Sequence, residues 1–153
     1  MSSVLQSPPS SRLFAGPTLP WLIVLAGFAA MYGPVYIAAA TGIWQTDEQA
    51  HGALVLAVVA WLFWRIHRPL IELPAAPAPL RGWLLFAFGL LVYVTGRVFK
   101  ISILEFASQP FIVAGVMLLI KGTTAIRLAW FPLLYFVFMI PLPGILVDAI
   151  TGG

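Results

Sequence analysis

Two of the chain's five acidic residues and one of its two histidines fall within five positions of one another. They are Asp47, Glu48 and His51, in the stretch Trp44-Gln45-Thr46-Asp47-Glu48-Gln49-Ala50-His51-Gly52. If a helix opens here, Asp47 and His51 stand four residues apart on one face and can touch. A carboxylate held against an imidazole fixes its tautomer and raises its basicity, which suits a general base or a proton relay. Thr46 or Asp47 would cap such a helix, since acids are favoured at that end. The plainer reading is loop polarity plus an N-cap, and composition alone weighs toward it, because exposed loops are usually polar.

A second group lies around Glu105, just inside an apolar run. Carboxylates at membrane depth are costly and are usually paired. Arg97 and Lys100 are the cations within reach, and the expectation is a structural ion pair across helices. His67, flanked by Arg65 and Arg68, reads as an interfacial residue. The remaining chemistry is sparse. There is no cysteine, which excludes disulfides, thiolate metal sites and a thiol nucleophile within these residues. No HExxH pair, Gly-rich phosphate loop or GxSxG elbow occurs. No catalytic residue, metal site or cofactor is therefore assigned within the chain.

The elements that must carry these residues are set by composition. Hydrophobic residues make up 61% of the 153 residues and charged residues 8%, against about a quarter charged in soluble domains. So few charges cannot cover a water-facing surface, and the bilayer must be the solvent for most of the chain. The formal net charge is +3, but the eight Lys and Arg are scattered in ones and twos. That is the pattern of loops between spans, and it argues against a nucleic-acid partner.

Met1 to Thr18, rich in Ser and Pro, reads as a disordered leader, with one transmembrane domain from 19 to 153. Five apolar runs follow, giving an all-α, polytopic helical bundle of about five spans. They cover Leu19 to Ala39, Ala50 to Ile66, Gly82 to Val98, Ile103 to Ile120 and Leu128 to Val147. The first exceeds the apolar core of about 7–15 residues found in signal peptides. Pro34 and Pro110 mark kinks. The segment Pro69 to Pro79 reads as an extended loop. Six basic residues (Arg12, Arg65, Arg68, Arg81, Lys121, Arg127) fall on one side of the membrane and two (Arg97, Lys100) on the other. The N-terminus is accordingly expected in the cytoplasm, with the Asp47–His51 loop and Asp148 facing outward.

Against that frame, Trp44-x-x-Asp47-x-x-x-His51-Gly52 at the opening of an apolar span resembles the first signature of the exosortases. The late stretch from Phe131 through Pro141 and Pro143, followed by Asp148 and Thr151-Gly152, is similar to a second signature. The wording from Gln45 to Gly52 looks closest to the exosortase B branch, with Gln49 and Ala50 where many relatives have an aromatic residue and Ser. The resemblance covers nearly the whole chain after the leader. It implies a multispanning enzyme of the bacterial inner membrane, a sortase-like cysteine protease or transpeptidase. Its partners would be membrane lipid and proteins bearing C-terminal PEP-CTERM sorting signals, processed at the outer face in cells that export exopolysaccharide.

The family's nucleophile is a cysteine in the C-terminal half, followed by an arginine and a histidine. None of those positions is present, so the expectation is an N-terminal portion whose reactive residue lies beyond Gly153, inactive by itself. Trp44, Asp47, His51 and Gly52 would then support a site completed elsewhere. The rival reading is a non-enzymatic subunit of a polysaccharide-export or transport system, supported by Glu105 and the proline-broken spans.

Overall fold

A computed structural model of the 153-residue chain describes residues 18–45 and 51–140. Five α-helices follow one another: α1 (Leu19–Thr41), α2 (His51–Glu72), α3 (Pro79–Phe99), α4 (Ser102–Ile120) and α5 (Thr123–Tyr135). Single 3-10 turns at Ile43–Gln45 and Phe136–Met139 follow α1 and α5. The described residues contain no strand. The first four helices are long and apolar enough to cross a membrane. The shortest of these has 19 residues, about 29 Å at 1.5 Å per residue and close to the ~30 Å hydrocarbon thickness. The fifth run yields a shorter element. Helix α5 has 13 residues, carries Pro132, which has no N–H to donate, and tightens into the 3-10 turn.

The bundle is apolar on the outside. Leu25 in α1 and Leu84 in α3 are 64% and 65% exposed. Such a surface is stable only in lipid, and the chain is a multi-pass membrane protein.

The segment expected to be extended from Pro69 is shorter than that. Helix α2 passes through Pro69 to Glu72, and Leu73 N–H donates to Pro69 O at 3.1 Å. Proline removes one intrahelical bond, to the carbonyl of Arg65, and does not by itself end a helix whose neighbours are favourable. At the other limit, Pro79 occupies the first turn of α3, where a missing N–H costs nothing. Lys121, buried after α4, donates from Nζ to Ile71 O at 2.8 Å and Leu73 O at 2.6 Å. It thereby satisfies carbonyls at the C-terminal end of α2 and fastens that loop to the α4–α5 turn.

The most extensive helix contact is between α3 and α4, and three glycines explain it. A β-carbon on Gly82 would stand 2.8 Å from Leu119 Cγ, on Gly89 2.9 Å from Ile112 N, and on Gly96 2.9 Å from Glu105 N. Gly115 of α4 meets Phe86 in the same way, at 2.7 Å from its backbone nitrogen. The partners run backward by seven as the glycines run forward by seven, so α3 and α4 are antiparallel. A seven-residue spacing keeps one face in register, and small residues let the backbones approach closely, the main source of helix association in lipid. Helix α5 packs on α4 and α2, the Phe136–Met139 turn on all three, and α1 on α4.

Candidate functional site

With α3 and α4 antiparallel and Trp44 set against both Gly52 of α2 and Phe106 of α4, the C-terminal ends of α1 and α3 lie at the same end of the bundle as the N-terminal ends of α2 and α4. The sequence-identified residues that are described collect there. Helix α1 closes with Thr41 Oγ1 donating to Ile37 O at 2.9 Å and Gln45 Nε2 to Ala40 O at 2.5 Å. This turn holds Trp44 half-buried. Its ring is 6.2 Å from Tyr36 and is stacked at 6.3 Å on Phe106 of α4. The indole edge sits over Gly52, the second residue of α2. Its Cε2 is 3.0 Å, and its Nε1 closer still, from where a β-carbon on Gly52 would be. Gly52 is buried, and His51 is exposed at the first position of α2.

Below this lid lies a layer of polar side chains inside the bundle. Ser108 Oγ donates to Glu105 O at 2.6 Å. A serine has one hydroxyl proton, so Tyr32 is the donor in the 2.5 Å contact between its OH and Ser108 Oγ. Tyr36 OH donates to Gln109 Oε1 at 2.8 Å, and Tyr93 OH to Met31 O at 2.7 Å. Tyr32, Ser108 and Gln109 are fully buried. Each of the three tyrosine bonds joins α1 to α3 or α4, and Tyr32 also packs edge-on against Tyr93 at 5.1 Å. In lipid such bonds have no water to compete with, so they fix the placement of α1.

Glu105 is buried where Gly96 leaves room for it, and Arg97 Nη1 approaches its Oε1 to 3.5 Å. Lys100 is exposed and forms the α3–α4 turn with φ of 55°. Ile101 N–H donates to Gly96 O at 2.8 Å, the long bond of a Schellman closure. Asp47, Pro141, Pro143 and Asp148 lie outside the described residues, as do Thr46 and the cap proposed for it. At the opposite end of α2, His67 is exposed, bonds through Nδ1 to Trp64 O and stacks on Trp64. Arg65 lies over Trp61 at 5.5 Å. No set of three His, Cys, Asp or Glu able to hold a metal occurs among the described residues.

The tyrosines and their partners are the part of this layer that motif reading passes over. The available signal is a pair of hydroxyls four apart on α1, Tyr32 and Tyr36, and the adjacent Ser108-Gln109 within an apolar run. Polar groups in a span mark a packed face.

Chemically, the arrangement is a rigid polar floor beneath an aromatic lid, with one imidazole at its rim. Within these residues it offers no thiol. The family model described as transmembrane exosortase matches residues 43–152, well over half of the chain. No curated protein and no solved structure matches.

Proposed function

This chain belongs to the transmembrane exosortase family, and from that premise we propose that it forms the outer-face scaffold of a membrane cysteine protease or transpeptidase. Its substrates are exported proteins with C-terminal PEP-CTERM sorting signals, in the inner membrane of bacteria that export exopolysaccharide. The N-terminus is cytoplasmic, which places the Trp44–Gly52 end of the bundle outside. With no cysteine among the 153 residues, the nucleophile comes from polypeptide outside them.

The observation that carries this reading is the seating of Trp44 on Gly52. It turns the first family signature into a physical unit, in which an indole wedged between Tyr36 and Phe106 holds the first turn of α2 and so sets where His51 stands. Asp47 and His51 polarise or shape the site from the outer face, in a supporting role. The test is made on a polypeptide in which this chain is joined to its cysteine-bearing part. His51→Ala and Asp47→Asn should each slow processing of a tagged substrate, by ~10²-fold if the pair assists proton transfer. Unchanged processing in both variants overturns the role.

A further inference from the structure

Helices α3 and α5 both lie on α4 and leave a groove between them, about 430 Å³ in volume. Its walls are Leu85 on one side and Ile126, Trp130 and Leu134 on the other, over a floor of Phe111 and Ala114. It is almost wholly apolar. Beyond one end, outside the lining itself, the helical spacing brings two arginines. Arg81 precedes Leu85 by four residues and Phe88 by seven, which puts all three in one stripe of α3. Phe88 meets Phe111 edge-on at 5.0 Å, so that stripe faces the groove. On α5, Arg127 precedes Trp130 by three and Leu134 by seven, a matching stripe on the opposite wall. Helices α3 and α5 are parallel, each antiparallel to α4, so both arginines stand at the same end. Both are exposed, and neither makes an ion pair with a described residue.

We propose that this groove is a binding site for one anionic phospholipid. An acyl chain lies over Ala114 between Leu85 and Trp130, and the headgroup phosphate is held between Arg81 and Arg127. The charge complementarity singles out this occupant. A neutral lipid or an apolar helix would fill the groove equally well and leave both guanidiniums without a counter-ion. Arginine is suited to the role because its planar fork meets two phosphate oxygens at once. Arg127 is the fifth residue of α5 and Arg81 the third of α3, and a long arginine side chain reaches the interface by snorkelling.

The full chain in detergent micelles, titrated with phosphatidylglycerol or phosphatidylcholine, tests this through the thermal unfolding midpoint and native mass spectrometry. Phosphatidylglycerol should raise the midpoint and saturate at one retained lipid, and phosphatidylcholine should do neither. Arg81→Gln with Arg127→Gln should weaken the apparent affinity about tenfold or more, from two basic residues near one anionic group. Ala114→Phe, which fills the floor and keeps both arginines, should weaken it as well; if that variant does not fold, the arginine pair decides alone. Arg65→Gln with Arg68→Gln removes the same charge elsewhere and should change nothing. An equal loss in that control would mean diffuse surface attraction and overturn the site. So would an equal response to phosphatidylcholine, or full reproduction of the effect by inorganic phosphate without a lipid chain.

Discussion

Trp44 Cε2 stands 3.0 Å, and Cδ1 3.1 Å, from where a β-carbon on Gly52 would be. The glycine is therefore a seat for the indole, and a methyl group there has to push the ring off Phe106 or tilt the start of α2. Gly52→Ala should destabilise the folded chain by about 1–3 kcal/mol, the usual cost of overpacking. In a Trp44→Ala background the same change should cost less than about 0.5 kcal/mol, because the clash is gone. Unfolding midpoints of the four proteins in one detergent measure the cycle. Equal costs in both backgrounds would show that the two residues do not meet.

The α3–α4 seam makes a sharper contrast among glycines. Ala at Gly89 places its methyl 2.7 Å from Ile112 Cγ1 and 2.9 Å from Ile112 N, and a backbone atom cannot yield as a side chain does. Gly89→Ala and Gly96→Ala should each cost about 2 kcal/mol or more, in the range of core overpacking. Gly27 and Gly33 in α1 have nothing within 4 Å of an added β-carbon. Gly27→Ala and Gly33→Ala should be neutral or stabilise by up to about 1 kcal/mol, through helix propensity and lost backbone freedom in the unfolded chain. Chemical unfolding followed by helical circular dichroism ranks the four variants.

Those glycines show what sequence does and does not disclose. Their spacing of seven places Gly82, Gly89 and Gly96 on one face, yet it does not say which helix comes to meet them. Apolar runs locate α3 and α4 to within a few residues, since membrane thickness dictates their length. The end of α2 is less legible, because Pro69 is a breaker only if the helix has no other reason to continue. At the candidate site, the Trp44…His51-Gly52 pattern is visible as a motif, but its physical cause is a tertiary contact. The tyrosine bonds are harder still. Tyr32 meets Ser108 across 76 positions and Tyr36 meets Gln109 across 73, so the pairing follows from the packing of α1 on α4.

The two tyrosine bonds should differ in worth. Removing the Tyr32 hydroxyl leaves Ser108 still donating to Glu105 O. Tyr32→Phe should therefore cost about 0.5 kcal/mol, near the average for interhelical bonds in lipid. Tyr36→Phe is worse, because Gln109 Nε2 is buried without a partner among the described residues and Oε1 would then lose its own. A cost of about 1–2 kcal/mol is expected for leaving that amide unsatisfied. Gln109→Met added to Tyr36→Phe should recover most of it, since both polar groups are then gone. The reverse order of costs, measured by thermal unfolding, would contradict this account of the layer.

Lys100 is the non-glycine residue with positive φ among the described residues, at 55°. A lysine there carries the steric cost of the left-handed region, about 1 kcal/mol relative to glycine. The turn still forms because the Schellman bond from Ile101 N–H to Gly96 O and the glycine seam on either side hold it. Lys100→Gly should raise stability by about 1 kcal/mol, reduced somewhat by the extra freedom of the unfolded chain. Lys100→Ala keeps the steric cost and should give no gain. The pair also separates a turn role for Lys100 from an electrostatic one. Arg97 is the cation that reaches Glu105, at 3.5 Å, and with its side chain nearly half exposed the pair is worth at most about 1 kcal/mol. Were Lys100 needed to hold that carboxylate, both substitutions would destabilise the protein. A gain in the glycine variant alone, read from unfolding midpoints, assigns the residue to the turn.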